Sequence, residues 1–302
     1  MASLTVTQRK SKNGANQKQL DTLRSLDAVV IDLQDAGVRF YTYETVVGYF
    51  LEAAAETGTA IVVLDRPNPV GGGFVQGPVA DPGRESFVSY WQTPVRHGMT
   101  TGELARMFNA ERRIGARLTV VPMEGWIRGD WFDSTGELWV NPSPNMRSLT
   151  AATLYPGIGM IEASNISVGR GTDTPFELVG APWIDPRALA SYLNSRDISG
   201  VRFMPTEFTP DSAVYAHEKC RGIQIVVTDR NSLDAPELGL EIAAALHSLN
   251  ATDYKLAGVD TLMVNKASLD ALTAGEDPRR IAEQWREGLE RFEALRTKYL
   301  IY

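Results

Sequence analysis

The sequence predicts an α/β fold that opens with parallel strands and continues into a second, smaller α/β unit. Three consecutive segments support this prediction: an apolar, β-branched run at residues 28–33, a helix-periodic stretch at 44–57 and a second apolar run at 60–64. Short runs of this kind are typical of buried parallel strands. A strand, a helix and a strand in this order form a βαβ unit, whose ligands bind beyond the carboxyl ends of the strands.

The remaining elements are predicted from helix caps, chain breakers and periodicity. Residues 1–19 are polar and lack an apolar period, so we expect residues 1–25 to form a loose arm. The sequence Thr-Thr-Gly-Glu predicts a helix that begins near Thr100 or Thr101. The later predicted elements are a strand at 117–121, a helix capped by Ser148, a helix at 186–195, strands at 201–204 and 222–228, a helix at 236–249, a short strand near Leu262 and a helix from Pro278. We place the domain boundary between residues 178 and 179, which gives domains 1–178 and 179–302.

Composition excludes several classes of function. The 302 residues carry a net charge of -7 and no basic stripe, which argues against nucleic acid as the main partner. Cys220 is the only cysteine and the three histidines are widely separated, so we predict no disulfide, no metal and no cofactor. The sequence shows no signal peptide and no apolar run of roughly 18 residues, so we predict no membrane span.

Polar side chains follow both strands of the predicted βαβ unit. Asp35 and Arg39 come after the first strand, and Asp65, Arg66 and Asn68 come after the second. Because the carboxyl ends of parallel strands meet at one edge of a sheet, we expect these side chains to face one crevice. The alternative is local structure, in which Asp65 pairs with Arg66 and Asn68 caps a turn.

The stretch at residues 155–183 mixes polar groups with residues that are typical of a core. Gly169 and Gly171 flank an arginine, so the backbone can turn sharply and approach a bound molecule. The candidate ligand-binding side chains of this stretch are Glu162, Asn165, Arg170, Thr172 and Glu177. We interpret it as a loop that binds a polar ligand, and a solvated connection between two helices is the alternative.

A histidine lies just before the N-terminus of the helix predicted near Thr100. At this position His97 could donate or accept a proton at neutral pH. The alternative is a structural histidine that bonds a neighbouring backbone group. Both interpretations stay open from the sequence.

Seven motifs, in chain order, resemble those of the exo-β-N-acetylmuramidase (NamZ-type) glycoside hydrolases of peptidoglycan turnover. They are DLQDAGVRFYTY, LDRPNP, PVRHGMTTGELA, SPNM, EASNISVGRGTDTPFE, KCRGIQIVVTDR and RTKYLIY. The resemblance covers residues 26–302 and implies a Rossmann-like domain joined to a smaller α/β domain, with the active site in the cleft between them. It further implies release of N-acetylmuramic acid from the non-reducing ends of peptidoglycan fragments. A periplasmic or secreted location would fit that role.

Hydrolysis of a glycosidic bond by the common route requires two carboxyl groups, one protonated and one ionised. We predict that Glu162 is the protonated group, because it follows an apolar run and partial burial would raise its pKa. We expect Asp35 or Asp65 to be better solvated and therefore ionised. The three carboxyl groups are predicted to meet in one cleft.

The polar candidates have an evident use in binding this sugar. The fork of Arg170 would hold the lactyl carboxylate of N-acetylmuramic acid. Asn68 and Asn165 would bind hydroxyl or acetamido groups. The other candidate substrate-binding residues are Arg39, Tyr43, Arg66, His97, Thr172 and Glu177.

The chain departs from the pattern that it resembles at one point. Family members carry an Asn-Gln-Thr-Gly motif and a Glu-His-Gly motif before the first strand, and neither occurs in this sequence. The glutamate of the second motif is a favoured catalytic candidate, so we expect the chain as given to bind muramic acid glycosides but to hydrolyse them poorly. A non-catalytic sugar-binding protein is the alternative. A nucleotide-handling enzyme is a third possibility, and it lacks support from a glycine fingerprint. The oligomeric state stays open.

Overall fold

The first half of the chain is organised around a small parallel sheet. The computed structural model describes residues 17–302. The elements of this half are the strands β1 Ala28–Ile31, β2 Ala60–Leu64, β3 Gln76–Val79, β4 Pro94–Arg96 and β5 Arg117–Val121 and the helices α1 Gln17–Arg24, α2 Tyr43–Thr57 and α3 Thr101–Glu111. Strands β1, β2 and β5 pair in this order and run parallel, while β3 and β4 form an antiparallel ribbon. The predicted βαβ unit is therefore confirmed.

Helices α2 and α3 cover one face of the parallel sheet. Leu51 of α2 and Phe108 of α3 pack in one cluster with Ile61 and Val63 of the central strand, and all four are fully buried. Burial of such side chains stabilises the fold by about 1.5–3 kcal/mol each. Helix α3 begins where its sequence predicts, because Thr100 caps it in a capping box with Glu103.

The expectation of a loose arm is wrong for the part of the arm that the structure describes. Gln17–Arg24 forms a helix, and Leu20 and Leu23 pack against Ala53 of α2. Only two apolar side chains hold this helix in place, so the polar majority of the segment obscures its helical spacing. The rest of the predicted arm, residues 1–16, lies outside the described residues.

The second half combines an antiparallel sheet with a helical layer. Its elements are α4 Leu149–Ile161, β6 Leu178–Ala181, α5 Pro186–Ser195, β7 Val201–Phe208, β8 Cys220–Val227, α6 Ala235–Leu249, α7 Asp260–Met263, α8 Lys266–Thr273, α9 Pro278–Glu283 and α10 Arg286–Arg296. The strand order is β6-β8-β7. Helices α4 and α6 cross at Gly157, where a Cβ atom would lie 1.9 Å from the carbonyl oxygen of Ala235. This close crossing therefore requires glycine.

Two predicted elements of the second half are wrong. The strand predicted near Leu262 is the one-turn helix α7, since a short apolar run does not by itself distinguish a strand from a buried helical turn. The single helix predicted from Pro278 is divided into α9 and α10 at Gln284 and Trp285. Ser148 caps α4 as predicted.

The two halves are not independent, because the end of the chain packs against the first half. Helix α10 lies after the second sheet, yet Phe292 of this helix packs in the core beneath the first sheet. Further along, the N–H of Ile301 donates to Glu103 Oε1 at 2.8 Å. The domain boundary between residues 178 and 179 stays a prediction.

The helices of residues 17–302 do not meet the requirements for crossing a membrane. The longest, α2 and α6, have 15 residues each. Such a helix is about 22 Å long, which is shorter than a hydrocarbon core of about 30 Å.

Candidate active site

A buried carboxyl group follows β1 at the edge of the parallel sheet. Asp35 is 7% exposed, and the N–H of Gly37 donates to its Oδ2 at 2.7 Å. Gly37 has a φ of 76°, and a Cβ atom there would lie 2.3 Å from Asn68 Oδ1, so the turn requires glycine. Burial raises the pKa of Asp35 to about 6, although the backbone N–H groups around it lower that pKa. Asp35 therefore exchanges its proton close to neutral pH.

Glu44 of α2 and His97 complete a buried cluster with Asp35. His97 Nε2 lies 3.9 Å from Asp35 Oδ2 and 4.0 Å from Glu44 Oε2. Burial, and then the charge of Asp35, raises the pKa of Glu44 well above its usual range. Burial, and then neighbouring arginines, lowers the pKa of His97 to about 3, so the interpretation that it exchanges a proton at neutral pH is wrong, and its Nδ1 bonds the neighbouring backbone N–H of Met99. Within residues 17–302, no group of three such side chains could hold a metal ion.

Arg39 belongs to the interior framework. Its side chain is fully buried and donates to the carbonyl oxygens of Pro78, Thr93, Leu262 and Met263 at 2.6–3.1 Å. These contacts tie the β3–β4 ribbon to α7. The structure therefore corrects the expectation that Arg39 binds the substrate.

Aromatic rings connect the surroundings of Asp35 with those of Glu162. Tyr41 meets Tyr43 and Tyr155 edge to face, with ring centroids 4.9 and 5.9 Å apart. Burial raises the pKa of Tyr155, and the charges of Glu162 and, more weakly, Asp35 raise it further. Tyr155 thus lies within electrostatic reach of both carboxyl groups.

Glu162 forms a bidentate ion pair with Arg170. Arg170 Nε donates to Oε2 at 3.0 Å, and Nη2 donates to Oε1 at 3.1 Å. The pair lines a cavity of about 310 Å³. Burial raises the pKa of Glu162 as predicted, while Arg170 opposes that rise. Two of the three nitrogens of the fork that was expected to hold a ligand carboxylate are engaged by this glutamate, and the role of Arg170 in substrate binding stays a prediction.

Asp65 is an anchor for α3. Its carboxylate accepts hydrogen bonds from Thr100 Oγ1 at 2.6 Å, Gly102 N at 2.7 Å and Tyr302 Oη at 3.0 Å. It lines a cavity of about 520 Å³ whose lining does not include Glu162. Burial raises its pKa, and these donors lower it.

The expectation that Asp35 and Asp65 are well solvated is wrong. They are 7% and 8% exposed, because α2 and α3 pack over the ends of their strands. Solvent exposure therefore does not keep either group ionised.

The remaining predicted site residues make hydrogen bonds within the protein. The bonds are Tyr43 Oη to Pro142 O at 2.9 Å, Arg66 Nη2 to Asp32 Oδ2 at 3.0 Å, Asn68 Nδ2 to Met99 O at 3.0 Å, Asn165 Nδ2 to Asp253 O at 2.8 Å, Thr172 Oγ1 to Gly169 O at 2.7 Å and Ser148 Oγ to Glu177 Oε1 at 3.0 Å. Arg66 pairs with Asp32 and not with Asp65, whereas Asn68 stabilises a turn by accepting from Val70 N. The roles of these residues in substrate binding stay predictions.

Glu44 is the member of the cluster that the sequence analysis missed. It shares one face of α2 with Val47, Leu51 and Ala54, which are all buried. A carboxyl group on an apolar helix face is costly to bury, and this conflict was the available sign of its function.

Comparisons with known proteins agree over nearly the whole chain. Residues 6–150 match the family model "Exo-beta-N-acetylmuramidase NamZ, N-terminal", and residues 153–302 match its C-terminal counterpart. The chain is 41% identical over 285 residues to the Peptidoglycan beta-N-acetylmuramidase NamZ of Bacillus subtilis (strain 168). That alignment covers 93% of this chain and 69% of the relative.

Crystal structures of two DUF1343 family proteins from Bacteroides fragilis NCTC 9343 have a similar fold. The first has a TM-score of 0.87 and 31% identity, and the match covers 94% of this chain and 77% of that one. The second has a TM-score of 0.77 and 29% identity, and the match covers 93% and 77%. The predicted α/β fold class is confirmed. The chain belongs to the exo-β-N-acetylmuramidase NamZ family.

Proposed function

We propose that this chain is a glycosidase that releases N-acetylmuramic acid from the non-reducing ends of peptidoglycan fragments. The observation that carries the proposal is the 41% identity to a peptidoglycan β-N-acetylmuramidase over 93% of the chain. The common glycosidase route needs one carboxyl group that gives a proton to the leaving oxygen and a second that attacks the sugar or activates water. The cluster around Asp35 and the Glu162–Arg170 pair supply candidates for both roles.

Asp35 is the proton donor of the proposed site. A general acid works best when its pKa lies near the working pH, and burial raises the pKa of Asp35 to about 6. The ion pairs of residues 17–302 leave Asp35 without an arginine or lysine partner that would favour its ionised form. Asp35 can therefore hold a proton until the glycosidic oxygen takes it.

Glu162 is the second carboxylate. Burial raises its pKa, yet Arg170 contacts both of its oxygens and favours the ionised form. This assignment reverses the roles that the sequence analysis gave to the two residues. The contrast in cationic partners is the reason for the reversal.

Arg170 also provides a contact for the acidic arm of the sugar. The ion pair uses Nε and Nη2, and 34% of the side chain is exposed. We assign the third nitrogen, Nη1, to the lactyl carboxylate of N-acetylmuramic acid, a group that N-acetylglucosamine lacks. The arginine would then orient Glu162 and select the substrate together.

Release of 4-nitrophenol from the aryl β-glycosides of N-acetylmuramic acid and N-acetylglucosamine tests the proposal. Poor hydrolysis was expected from the sequence, but the 41% identity to a β-N-acetylmuramidase supports turnover of the muramic acid glycoside, and we expect much slower turnover of the other. Glu162→Gln should lower kcat on the order of 10²-fold, because the amide cannot serve as the carboxylate. Arg202→Gln, which removes an exposed ion pair with Asp197, is the matched surface control.

The outcomes separate the possible functions. Binding of N-acetylmuramic acid without turnover would favour the non-catalytic alternative. Equal turnover of both glycosides would leave a glycosidase without muramic acid selectivity. The absence of both binding and turnover would overturn the proposal.

A further inference from the structure

The buried cluster contains an imidazole whose tautomer is determined by the backbone. The N–H of Met99 donates to His97 Nδ1 at 3.2 Å. A backbone N–H can only donate, so Nδ1 must present its lone pair, and a neutral imidazole then carries its hydrogen on Nε2. His97 stays neutral in the working range, since burial lowers its pKa to about 3. The segment before α3 therefore fixes an Nε2–H group inside the cluster.

This Nε2–H group faces two carboxyl groups. Asp35 Oδ2 and Glu44 Oε2 lie 3.9 and 4.0 Å from Nε2. Within residues 17–302, Nε2, Asp35 Oδ1 and both oxygens of Glu44 are buried without a hydrogen-bond partner. Buried polar atoms are almost always paired, and hydrogen bonds in catalytic sites often shorten only when substrate binds. Packing alone would favour apolar side chains at these positions, so we interpret the unpaired polar atoms as a functional cluster.

We propose that His97 is a positioning residue for Asp35, which presents its Nε2–H to the Asp35 carboxyl group and sets the orientation of that group toward the glycosidic oxygen. The proposal rests on the proposed function, in which Asp35 is the proton donor. Oδ2 already accepts from Gly37 N at 2.7 Å. Within residues 17–302, Oδ1 is buried and has no hydrogen-bond partner, so a second donor on Oδ2 leaves Oδ1 as the oxygen that carries the transferable proton once substrate binding uncovers it.

The proton balance of the step follows from this orientation. The Oδ1–H proton of Asp35 passes to the glycosidic oxygen as the bond between this oxygen and the anomeric carbon breaks. Asp35 becomes a carboxylate, and the donors Gly37 N–H and His97 Nε2–H then face its negative charge. Water supplies the hydroxyl group of the released sugar, and a water proton restores Asp35.

Glu44 keeps the imidazole available to Asp35. Its Oε2 lies 4.0 Å from Nε2, and an ionised Glu44 would compete for the same hydrogen. Burial, and then the charge of Asp35, favours its protonated form. A neutral Glu44 therefore does not compete for this hydrogen and leaves Nε2–H to Asp35.

The other charged and titratable groups near the cluster do not titrate close to pH 6. The charged groups are Arg39, which acts on the pKa of Glu44, and Arg39, Arg96 and Arg296, which act on the pKa of His97. The titratable groups are Tyr41 and Tyr155, which respond to the charge of Asp35. At Asp35 itself the neighbours that act on the pKa are backbone N–H groups. Arginine and tyrosine titrate far above neutral pH. A transition near pH 6 at an aspartate carboxyl carbon of this cluster thus reports Asp35.

Carbon-13 NMR of the aspartate carboxyl groups measures this transition without relying on activity. His97→Leu removes the donor, so we expect the Asp35 midpoint to rise by up to about one pH unit. His97→Gln keeps an N–H group near the Nε2 position and should return the midpoint towards the wild-type value. His247→Gln, in α6, is the matched control and should leave it unchanged.

Kinetics provide the second readout. His97→Leu should lower kcat on aryl muramic acid glycosides about tenfold at unchanged KM, because about 1.4 kcal/mol of orientation in the transition state is lost. His97→Gln should recover part of kcat, and the alkaline limb of the pH profile should follow the NMR midpoint. A purely structural histidine would change stability in both variants and leave the pH profile where it was.

Several outcomes would overturn the proposal. An Asp35 midpoint that is the same in wild type, His97→Leu and His97→Gln would do so. If His97→Leu does not fold, nitrogen-15 resonances of the wild-type imidazole decide, and a hydrogen on Nδ1 rules out the proposed contact. A lower Asp35 midpoint in Glu44→Gln would show that Glu44 is charged and contradict its assigned role. If the midpoints are as expected but no glycoside is turned over, the contact between His97 and Asp35 is supported and the proposed function is wrong.

Discussion

Asp35 and Asp65 occupy equivalent places in the sequence but have opposite surroundings. Each follows a strand of the parallel sheet, and each is nearly buried. Asp65 accepts hydrogen bonds from two side chains and from the first turn of α3. Asp35 accepts from the backbone of its own loop and otherwise faces Glu44 and His97.

The difference teaches that position at a strand end does not define a catalytic carboxyl group. Burial raises the pKa of both aspartates, but at Asp65 two side-chain hydroxyl groups and two backbone N–H groups oppose the rise. Asp35 lacks side-chain donors at hydrogen-bonding distance, and its pKa reaches about 6. A saturated carboxylate stabilises the fold, whereas an undersaturated one is available for proton transfer.

The largest expected effect is the loss of activity in Asp35→Asn. We expect kcat/KM on a natural muropeptide disaccharide to fall on the order of 10²-fold or more, because the amide cannot give its proton to the leaving oxygen. The loss should be smaller on a 4-nitrophenyl glycoside, whose leaving group needs less acid assistance. Steady-state assays on both substrates measure this contrast. A greater loss in Asp65→Asn would reverse the comparison.

A second prediction concerns the pH dependence of stability. The pKa of Asp35 is about 6 in the folded chain against an ordinary value of 3.8, so folding favours the protonated form. Its contribution is complete below about pH 4, declines as pH rises through 6 and amounts to roughly 2–3 kcal/mol. Asp35→Asn should remove this decline and be the more stable protein at pH 7. Urea unfolding at pH 4 to 7 checks it, and parallel curves for the two proteins would contradict it.

Asp65→Ala should mainly affect stability. It deprives Thr100, Gly102 and Tyr302 of their acceptor, so we expect a loss of about 2 kcal/mol in the free energy of unfolding. Asp32→Ala, which breaks only the exposed ion pair with Arg66, is the matched control and should cost less than about 1 kcal/mol. Equal losses would mean that the Asp65 contacts contribute no more than a surface pair.

The smallest expected effect is a change in sugar selectivity in Arg170→Lys. The substitution keeps the charge but removes the Nη1 that is assigned to the lactyl carboxylate, so affinity for N-acetylmuramic acid should fall about tenfold. Affinity for N-acetylglucosamine, which lacks the lactyl group, should change little. Isothermal titration with both sugars measures the ratio. Equal losses would remove the lactyl assignment.

Much of the fold is encoded locally and was therefore predictable. The apolar runs that form β2 and β5 and the caps at Thr100 and Ser148 each lie within a few residues of the element that they define. The turn at Leu262 was not predictable in this way, because only packing distinguishes a buried helical turn from a strand.

The candidate site was predictable in its positions but not in its environments. Asp35 was identified from its place after a strand, yet its burial depends on α2 and on His97, which is distant in sequence. The structural role of Arg39 was not predictable, because the four carbonyl groups that surround it come from three separate segments of the chain. Such convergence is a property of tertiary structure and leaves no local pattern.

The return of α10 to the first sheet has a consequence for the order in which the chain folds during synthesis. The ribosome makes the parallel strands first, but Phe292 and Tyr302, which complete their core and the Asp65 anchor, come more than a hundred residues later. Arg296 Nη1 likewise donates to Gly98 O at 2.7 Å, although the two residues are far apart in the sequence. Long-range closure of this kind slows folding. The hydrophobic core of the nascent first half therefore stays incomplete, and accessible to chaperones, until the second half has emerged.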